Sequence, residues 1–121
     1  MSNVKQADSV VDISYLKQVS GGDTSLMMDM IDLFLGQTPL QISQMYQCVD
    51  DENWQALNRI AHKAKSSFGV MGVESIVEDI KHVEIWASQQ IRLDEITPLI
   101  DNINRVCQQA YTEYERIMEQ M

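Results

Sequence analysis

Residues 59–72 read RIAHKAKSSFGVMG, and this stretch decides the fold. Apolar side chains recur in and just before it at steps of three and four residues: Leu57, Ile60, Ala61, Ala64, Phe68 and Met71. This spacing is typical of one stripe of an α-helix, so it predicts a helix from about Trp54 to Val70 or Met71 with the stripe facing a core. His62 falls about 140° around that helix from Leu57, at about 100° per residue. We therefore expect the imidazole to face solvent.

The side chains near His62 on this face are small. Ser66 follows at i+4, one helical turn on, and Gly69 at i+7, two turns on. A glycine inside a helix costs about 1 kcal/mol relative to alanine. Gly69 therefore indicates either close approach of another molecule or the end of the helix.

Positive charge is concentrated in the same helix. Residues 54–73 contain Arg59, Lys63 and Lys65 but no Asp or Glu, in a chain whose formal net charge is −9. An exposed imidazole with an ammonium group one turn away suits a nucleophilic nitrogen that takes up a dianionic group such as phosphoryl. His62 is therefore the candidate nucleophile.

These residues resemble the histidine-containing phosphotransfer (HPt) domains of multistep two-component signalling. The pattern of that family is a histidine, a lysine three residues on, a small residue (usually glycine) at four, small or serine at five and six, and glycine near ten. The corresponding positions in this chain are His62, Lys65, Ser66, Ser67, Phe68 and Gly72. Ser66 replaces the usual glycine, and Phe68 stands where a small residue is commoner. We expect Ser66 to leave the ring accessible and Phe68 to pack inward.

The resemblance implies a phosphorelay intermediate. Nε2 of His62 would accept a phosphoryl group from the aspartate of one receiver domain and pass it to the aspartate of another, while Lys65 stabilises the phosphoryl charge. The implied partners are the receiver domains of a hybrid sensor histidine kinase and of a response regulator. The chain would need no cofactor of its own, because the receiver would supply Mg²⁺.

Partner contacts are expected around the histidine. Arg59 and Lys63 would steer an acidic partner surface, and Ser66 and Gly69 would let it approach. Gln37 is assigned through the resemblance alone, since it corresponds to a glutamine that hydrogen-bonds the histidine region in some HPt domains.

The overall composition excludes several function classes. A net charge of −9 and a pI near 4.4 argue against nucleic acid or an anionic membrane as the main partner. Cys48 and Cys107 match no metal or redox spacing, which favours two reduced thiols in a cytoplasmic protein. Neither a signal peptide nor an apolar run of the roughly 20 residues that a membrane span requires is visible. We expect a cytoplasmic monomer.

The periodicity predicts an all-α protein. A flexible tail is expected at residues 1–10 and one domain over residues 11–121. Short turns make successive helices antiparallel, so the expected architecture is an up-down-up-down four-helix bundle with a short extra N-terminal helix. The predicted elements are a short helix at about 13–20, a long helix from Asp23 or Thr24 with a kink near Leu35 caused by Pro39, the histidine helix, a helix at about 74–89 and a last helix capped by Asp94.

Two further interpretations use other residues. The chain could be an adaptor that binds a partner through a methionine-rich face formed by Met27, Met28, Met30 and Met45, with His62 incidental. Under the relay interpretation, one or two residues from the set Met27, Ile31, Leu35 and Thr38 would instead form an apolar surface beside His62.

Other chemistry has little support in the sequence. The pair Asp79 and His82 has the i, i+3 spacing of metal sites in helical bundles, but such sites need repeated pairs on facing helices, so no metal site is predicted. The sequence contains no Walker-type loop and no kinase motifs. We therefore expect no autonomous kinase activity.

Overall fold

The computed structural model describes residues 9–121, which form helices without any strand. The predicted all-α fold is confirmed. The predicted tail at residues 1–10 falls outside the described residues except for Ser9 and Val10. The helices are α1 (Ser14–Val19), α2 (Thr24–Asp50), α3 (Trp54–Val70), α4 (Val77–Gln89) and α5 (Ile96–Glu119), with single 3₁₀ turns at Glu74–Ile76 before α4 and at Leu93–Glu95 before α5.

The four long helices form a bundle around one apolar core. Each packs against the next along the chain, and α2 also packs against α5, so the four close into a ring. Four residues of this core are fully buried: Ile31 from α2, Phe68 from α3, and Ile100 and Tyr114 from α5. The short helix α1 adds Leu16, which is also fully buried. The predicted four-helix bundle with a short N-terminal helix is thus confirmed.

The starts of α2 and α5 can be compared with the start residues that the sequence predicted for them. The long helix α2 begins after Asp23, whose carboxylate accepts a 3.1 Å hydrogen bond from the Leu26 amide, and it continues through Pro39 to Asp50. The prediction that Asp94 caps the last helix is wrong. Asp94 lies inside a 3₁₀ turn, and α5 begins at Ile96 without a side-chain cap.

The histidine helix α3 begins and ends as its sequence predicts. Asn53 caps its start by accepting a 3.2 Å hydrogen bond from the Ala56 amide. Phe68 is fully buried, which confirms its inward orientation. Gly72 follows the helix with a φ of +70°, a left-handed conformation that glycine adopts without a steric penalty.

The segment before α1 crosses this helix end. The amide of Asp12 donates a 3.0 Å hydrogen bond to the Gly72 carbonyl. A Cβ atom at position 72 would lie 1.8 Å from the carbonyl oxygen of Asp12. Gly72 is therefore required both by its own backbone angle and by the chain that passes over it.

No helix within residues 9–121 is both long enough and apolar enough to cross a membrane. Cys48 and Cys107 are unpaired and buried.

Candidate functional site

His62 lies in the middle of α3, on the face opposite the core stripe. Its side chain is 67% exposed. The ring therefore faces solvent, as the helix spacing predicts. Its Nδ1 atom lies 2.6 Å from Oε2 of Glu84, whereas no hydrogen bond to Nε2 is found within the described residues. The ring is thus held at one nitrogen and open at the other.

Glu84 reaches the histidine from the neighbouring helix α4. Its second carboxylate oxygen, Oε1, accepts a 2.7 Å hydrogen bond from Nζ of Lys65, which lies one turn after His62 on α3. The main-chain carbonyl of Glu84 accepts a 2.8 Å hydrogen bond from the amide group of Asn58, which lies one turn before His62. Side chains on both sides of the histidine therefore fix α4 against α3 at this level.

Sequence reasoning did not identify Glu84. The carboxylate lies 22 residues from His62 on a different helix, so no local spacing connects the two. The sequence does show that α3 carries basic but no acidic residues and that α4 carries several acidic ones. Which acidic residue faces His62, however, depends on how α3 packs against α4.

The pKa of Glu84 reflects two opposing effects. Partial burial of the carboxylate raises this pKa, but the hydrogen bonds and positive charges of Lys65 and His62 outweigh burial and hold it below its ordinary value. The carboxylate is therefore ionised at neutral pH and accepts from both partners.

A groove between α2 and α3 begins at Ser66, one helical turn after the histidine. It has a volume of about 280 Å³ and is lined mainly by apolar side chains, with polar groups from both helices. Among the lining residues are Met30, Leu33, Gln37, Thr38, Ser66 and Val70. The structure thus brings together Gln37 and Ser66, two of the residues predicted to contact a partner.

The remaining predicted contact residues lie on or near the same side of α3. Arg59 and Lys63 are exposed. A Cβ atom added at Gly69 would meet nothing within 4 Å, so no packing inside the bundle requires a glycine there. Gly69 lies in the last turn of α3, so the end of the helix remains an explanation beside close approach of another molecule, which stays a prediction.

One or two residues of a set of four were predicted to form an apolar surface beside His62, and of that set only Leu35 is half-buried rather than buried. Met27, Ile31 and Thr38 are at most 4% exposed, because α2 buries this stripe against its neighbours, and the first two belong to the apolar core. The large apolar residues of α2 that are exposed are instead Leu26, Leu33 and Leu40, of which Leu33 and Leu40 are the most exposed, at 58% and 63%. Leu33 lies seven residues before Leu40, which puts both on one face of the helix.

The methionine-rich face of the adaptor interpretation is also mostly internal. Met27 and Met45 are buried in the core, and Met28 and Met30 are half-buried. These methionines therefore fill the interior of the bundle rather than form a continuous surface.

The second histidine of the chain makes different contacts. The ring of His82 stacks on that of Trp86, with ring centroids 5.0 Å apart. Within the part of the chain that the structure describes, no three His, Cys, Asp or Glu side chains come close enough together to hold a metal ion. His82 is thus a histidine of the same chain whose ring contacts an aromatic side chain instead of a carboxylate, which makes it a suitable control for substitutions of His62.

A family model, the Hpt domain, matches residues 29–117. The chain belongs to the Hpt domain family. Hpt domains carry out histidine phosphotransfer in phosphorelays and interact with receiver domains, and this is the general function of the chain. The match includes all of α3 and α4 and most of α2 and α5. The predicted domain start at residue 11 lies before the match and stays a prediction.

Comparisons with curated proteins and with solved structures each found no significant match.

Proposed function

We propose that this Hpt domain carries a phosphoryl group on Nε2 of His62 between two receiver domains. The observation that carries the proposal is the geometry of the ring, which is 67% exposed with Nδ1 bound to Glu84 and Nε2 open. The phosphoryl group would come from the receiver aspartate of a hybrid sensor histidine kinase and go to the receiver aspartate of a response regulator. The domain would act as a cytoplasmic monomer.

The reaction is an in-line transfer between two docked proteins. Such a transfer depends on positioning and on stabilisation of the phosphoryl charge. The domain would supply the nucleophile and the docking surface, while the receiver would supply Mg²⁺. No cofactor of the Hpt domain itself enters this scheme.

Lys65 is the cation that we assign to the phosphoryl group. It lies one turn from His62, and its ammonium group now binds Glu84 at 2.7 Å. Its side chain is 30% exposed, so it has room to turn towards a group on Nε2. A positive charge at that position stabilises the dianionic phosphoryl group.

The docking surface in this proposal surrounds the ring. The groove between α2 and α3 offers an apolar recess that Leu33 helps to line, and Leu40 is exposed on the same face of α2. Gln37 and Ser66 supply polar contacts, and Gly69 lets the partner backbone come close. Exposed apolar side chains with a polar border are typical of protein–protein contact sites.

Positive charge on α3 would favour the binding of receiver domains. Arg59 and Lys63 are exposed on the histidine helix of an acidic chain. A receiver presents acidic groups around its phosphorylated aspartate, so these two side chains would raise the rate of encounter. Their contribution should fall as ionic strength rises.

The test is transfer of label from a phosphorylated receiver domain to the purified protein. We expect acid-labile, base-stable phosphate on the wild-type chain and none on His62→Gln. His82→Gln is the matched control, since it removes the other exposed histidine, and it should accept phosphate like the wild type. Transfer of label to His62→Gln would overturn the proposal.

The same pair of variants separates the relay from an adaptor. An adaptor would keep downstream signalling in cells that carry His62→Gln, whereas a relay would lose it. Signalling that persists with His62→Gln would therefore also overturn the proposal.

A further inference from the structure

The exposed face of α2 carries no charge over about four helical turns. Residues 33–49 contain no Asp, Glu, Lys or Arg, although 22% of the chain is charged. The exposed residues of this segment, which we call the uncharged face of α2, are Leu33, Gly36, Gln37, Pro39, Leu40, Ser43, Gln44 and Gln47. A helix face in water usually carries charged side chains, whereas charged residues are depleted at the centres of protein interfaces. The uncharged face therefore has the composition of a contact surface.

Two leucines on this face stand on either side of a glycine. Leu33 and Leu40 are 58% and 63% exposed, and their spacing of seven residues places both on one side of the helix. Gly36 lies between them, and a Cβ atom added there would meet nothing within 4 Å. Glycine destabilises a helix interior, and because Gly36 is in the middle of α2, the end of a helix does not explain it. A low point between two leucines suits the close approach of a second helix.

The uncharged face is complementary to a second copy of itself. An antiparallel α2 from a second copy would cross this helix between Gly36 and Gln37. Leu33 would then lie opposite Leu40 of that copy, and Leu40 opposite its Leu33, because a twofold axis makes every contact occur twice. Two copies of a chain with a net charge of −9 repel each other over most of their surfaces, and this repulsion is smallest at a face without charges.

The aspartates that precede the uncharged face favour the antiparallel orientation. Asp29 and Asp32 are exposed on the first half of α2. In a parallel pair each would lie opposite the same aspartate of the second copy, and like charges would repel. Asp29 lies opposite Gln44 in the antiparallel pair. Asp32 lies opposite Gln41, so both carboxylates have uncharged residues opposite them.

A basic side chain of α3 lies at the level that the aspartates of a second copy reach. Gln44 is six residues before the end of α2 at Asp50, and α3 packs beside α2. Arg59 is five residues after the start of α3 at Trp54, which puts it near the level of Gln44. Asp29 of the second copy therefore arrives close to the level of Arg59. Opposite charges at one level add to the preference for this orientation.

We propose that two copies of this chain associate through the uncharged face of α2 in an antiparallel pair, and that this dimer is a resting form. Leu33 and Gln37 belong both to this face and to the groove between α2 and α3. A second copy therefore covers part of the proposed docking surface, and the monomer is the form that transfers. The resting role rests on the proposed function, whereas the association does not.

The dimer is weak because one helix supplies the contact. Such a contact buries less than the roughly 800 Å² per partner of a standard interface. We expect a dissociation constant on the order of 100 μM. The fraction of dimer therefore follows the local concentration of the chain.

Sedimentation equilibrium of the full chain, without any receiver, measures the association. Between about 10 μM and about 1 mM, the average mass should rise from 13.9 kDa towards twice that value. Leu33→Asp or Leu40→Asp should weaken the association by at least about tenfold, since a charge enters the centre of the contact. Ile85→Asp, which changes a 46% exposed residue of α4, is the matched control and should associate like the wild type. A chain that stays monomeric at the highest concentration, or an equal loss in Ile85→Asp, would overturn the proposal.

Charge substitutions at Gln44 test the orientation. Gln44→Lys should tighten the antiparallel dimer by about threefold, because the ammonium group meets Asp29 of the second copy, and Gln44→Glu should weaken it by a similar factor. A parallel dimer would place two lysines opposite each other and be weakened by Gln44→Lys. Gln108→Lys changes the net charge equally at an exposed position of α5 and is the control. Equal effects of Gln44→Lys and Gln108→Lys would overturn the antiparallel arrangement.

Gly36→Gln tests the close approach without a change of charge. The added side chain meets nothing in its own chain, so the thermal stability of the monomer should be unchanged or higher. Association should weaken by about tenfold, because the side chain fills the crossing point. An unchanged dissociation constant would overturn the crossing at Gly36.

The resting role has its own readout. The rate of transfer per molecule from a phosphorylated receiver should fall as the concentration of the chain approaches its dissociation constant. Labelling of His62 by phosphoramidate, a small chemical donor that needs no docking, should not fall. A transfer rate that is independent of concentration would overturn the resting role and leave the dimer standing. A chain that takes up no phosphate on His62 would instead refute the proposed function, and the sedimentation result would still decide the association.

Discussion

The hydroxyl group of Tyr114 donates a 2.5 Å hydrogen bond to the main-chain carbonyl of Met71. Tyr114 lies on α5 and is fully buried, and Met71 is the residue that follows α3. The bond therefore ties the last helix to the end of the histidine helix. The final turns of α3 carry Ser66 and Gly69, so this bond also supports the wall of the groove.

Tyr114→Phe should destabilise the fold. The substitution keeps the ring, which packs edge-on against Phe34 at 5.7 Å, but leaves the buried Met71 carbonyl without this donor. An unsatisfied buried polar group costs about 1–3 kcal/mol, so the free energy of unfolding in urea should fall by that amount. Tyr111→Phe is the matched control. The Tyr111 ring also packs on Phe34 at 5.7 Å, but the nearest partner of its buried hydroxyl is the Cys107 thiol, a weak hydrogen-bonding group, so removal of this hydroxyl should cost less than removal of the Tyr114 hydroxyl.

Substitution of alanine for each of two glycines near the end of α3 should change the stability of the fold in opposite directions. Gly69→Ala places a methyl group in open space within a helix and should stabilise the protein by about 0.5 kcal/mol. Gly72→Ala meets the Asp12 carbonyl and requires a φ of +70°, so it should destabilise by more than about 1 kcal/mol. Thermal unfolding of both variants checks the prediction. A neutral Gly72→Ala would mean that the segment around Asp12 moves away freely.

The contribution of Glu84 to stability should depend on pH. Its pKa in the folded protein lies below the ordinary value of 4.5, so its stabilising effect is fully present above that pH and is lost as the pH falls through the lower folded value. Glu84→Gln should therefore lower the free energy of unfolding at pH 7, by up to about 1 kcal/mol for a partly exposed ion pair, and have little effect near pH 3. Urea unfolding at the two pH values measures the difference. An equal effect at both would mean that packing rather than charge is responsible.

The exposed leucines of α2 should affect transfer from receivers but not chemical phosphorylation. Leu40 lies about as many residues before the α2–α3 turn as His62 lies after it, so the antiparallel packing puts the two near the same level. Leu33→Asp or Leu40→Asp should reduce transfer from a phosphorylated receiver by about tenfold, which corresponds to about 1.4 kcal/mol of lost contact. Labelling by phosphoramidate should not change.

Leu26→Asp is the control for this prediction. Leu26 is 43% exposed and lies on the same face, but 14 residues before Leu40, which is about 21 Å along the helix axis. Receiver transfer that falls equally in Leu26→Asp would point to a general effect of charge on α2 rather than to a docking surface near His62.

The sequence predicted those features that depend on local spacing. The stripe through Leu57 and Phe68 placed His62 on the outside of its helix, and Gly72 marked the end of that helix. The surface of α2 was predicted less well, because its apolar residues cover about half of the helix circumference. Spacing alone could not tell whether Ile31 or Leu33 faces the core, and only the packing of the bundle makes this choice. Glu84 could not be found at all, since its role depends on contact between α3 and α4.

Lys65 could act on transfer either directly, through the phosphoryl oxygens, or indirectly, by holding Glu84, and the Glu84→Gln variant separates these two roles. Lys65→Ala removes an ammonium group within one turn of His62, and we expect transfer from a receiver to slow by about tenfold, or about 1.4 kcal/mol of transition-state stabilisation, while the fold stays intact. If the ammonium group acts on the phosphoryl oxygens, the loss persists when Lys65→Ala is combined with Glu84→Gln. If it acts only by holding Glu84, the double variant transfers as fast as Glu84→Gln alone. Lys81→Ala, which removes a 46% exposed lysine from α4, is the control. A transfer rate for Lys65→Ala equal to that of the wild type would remove Lys65 from the mechanism.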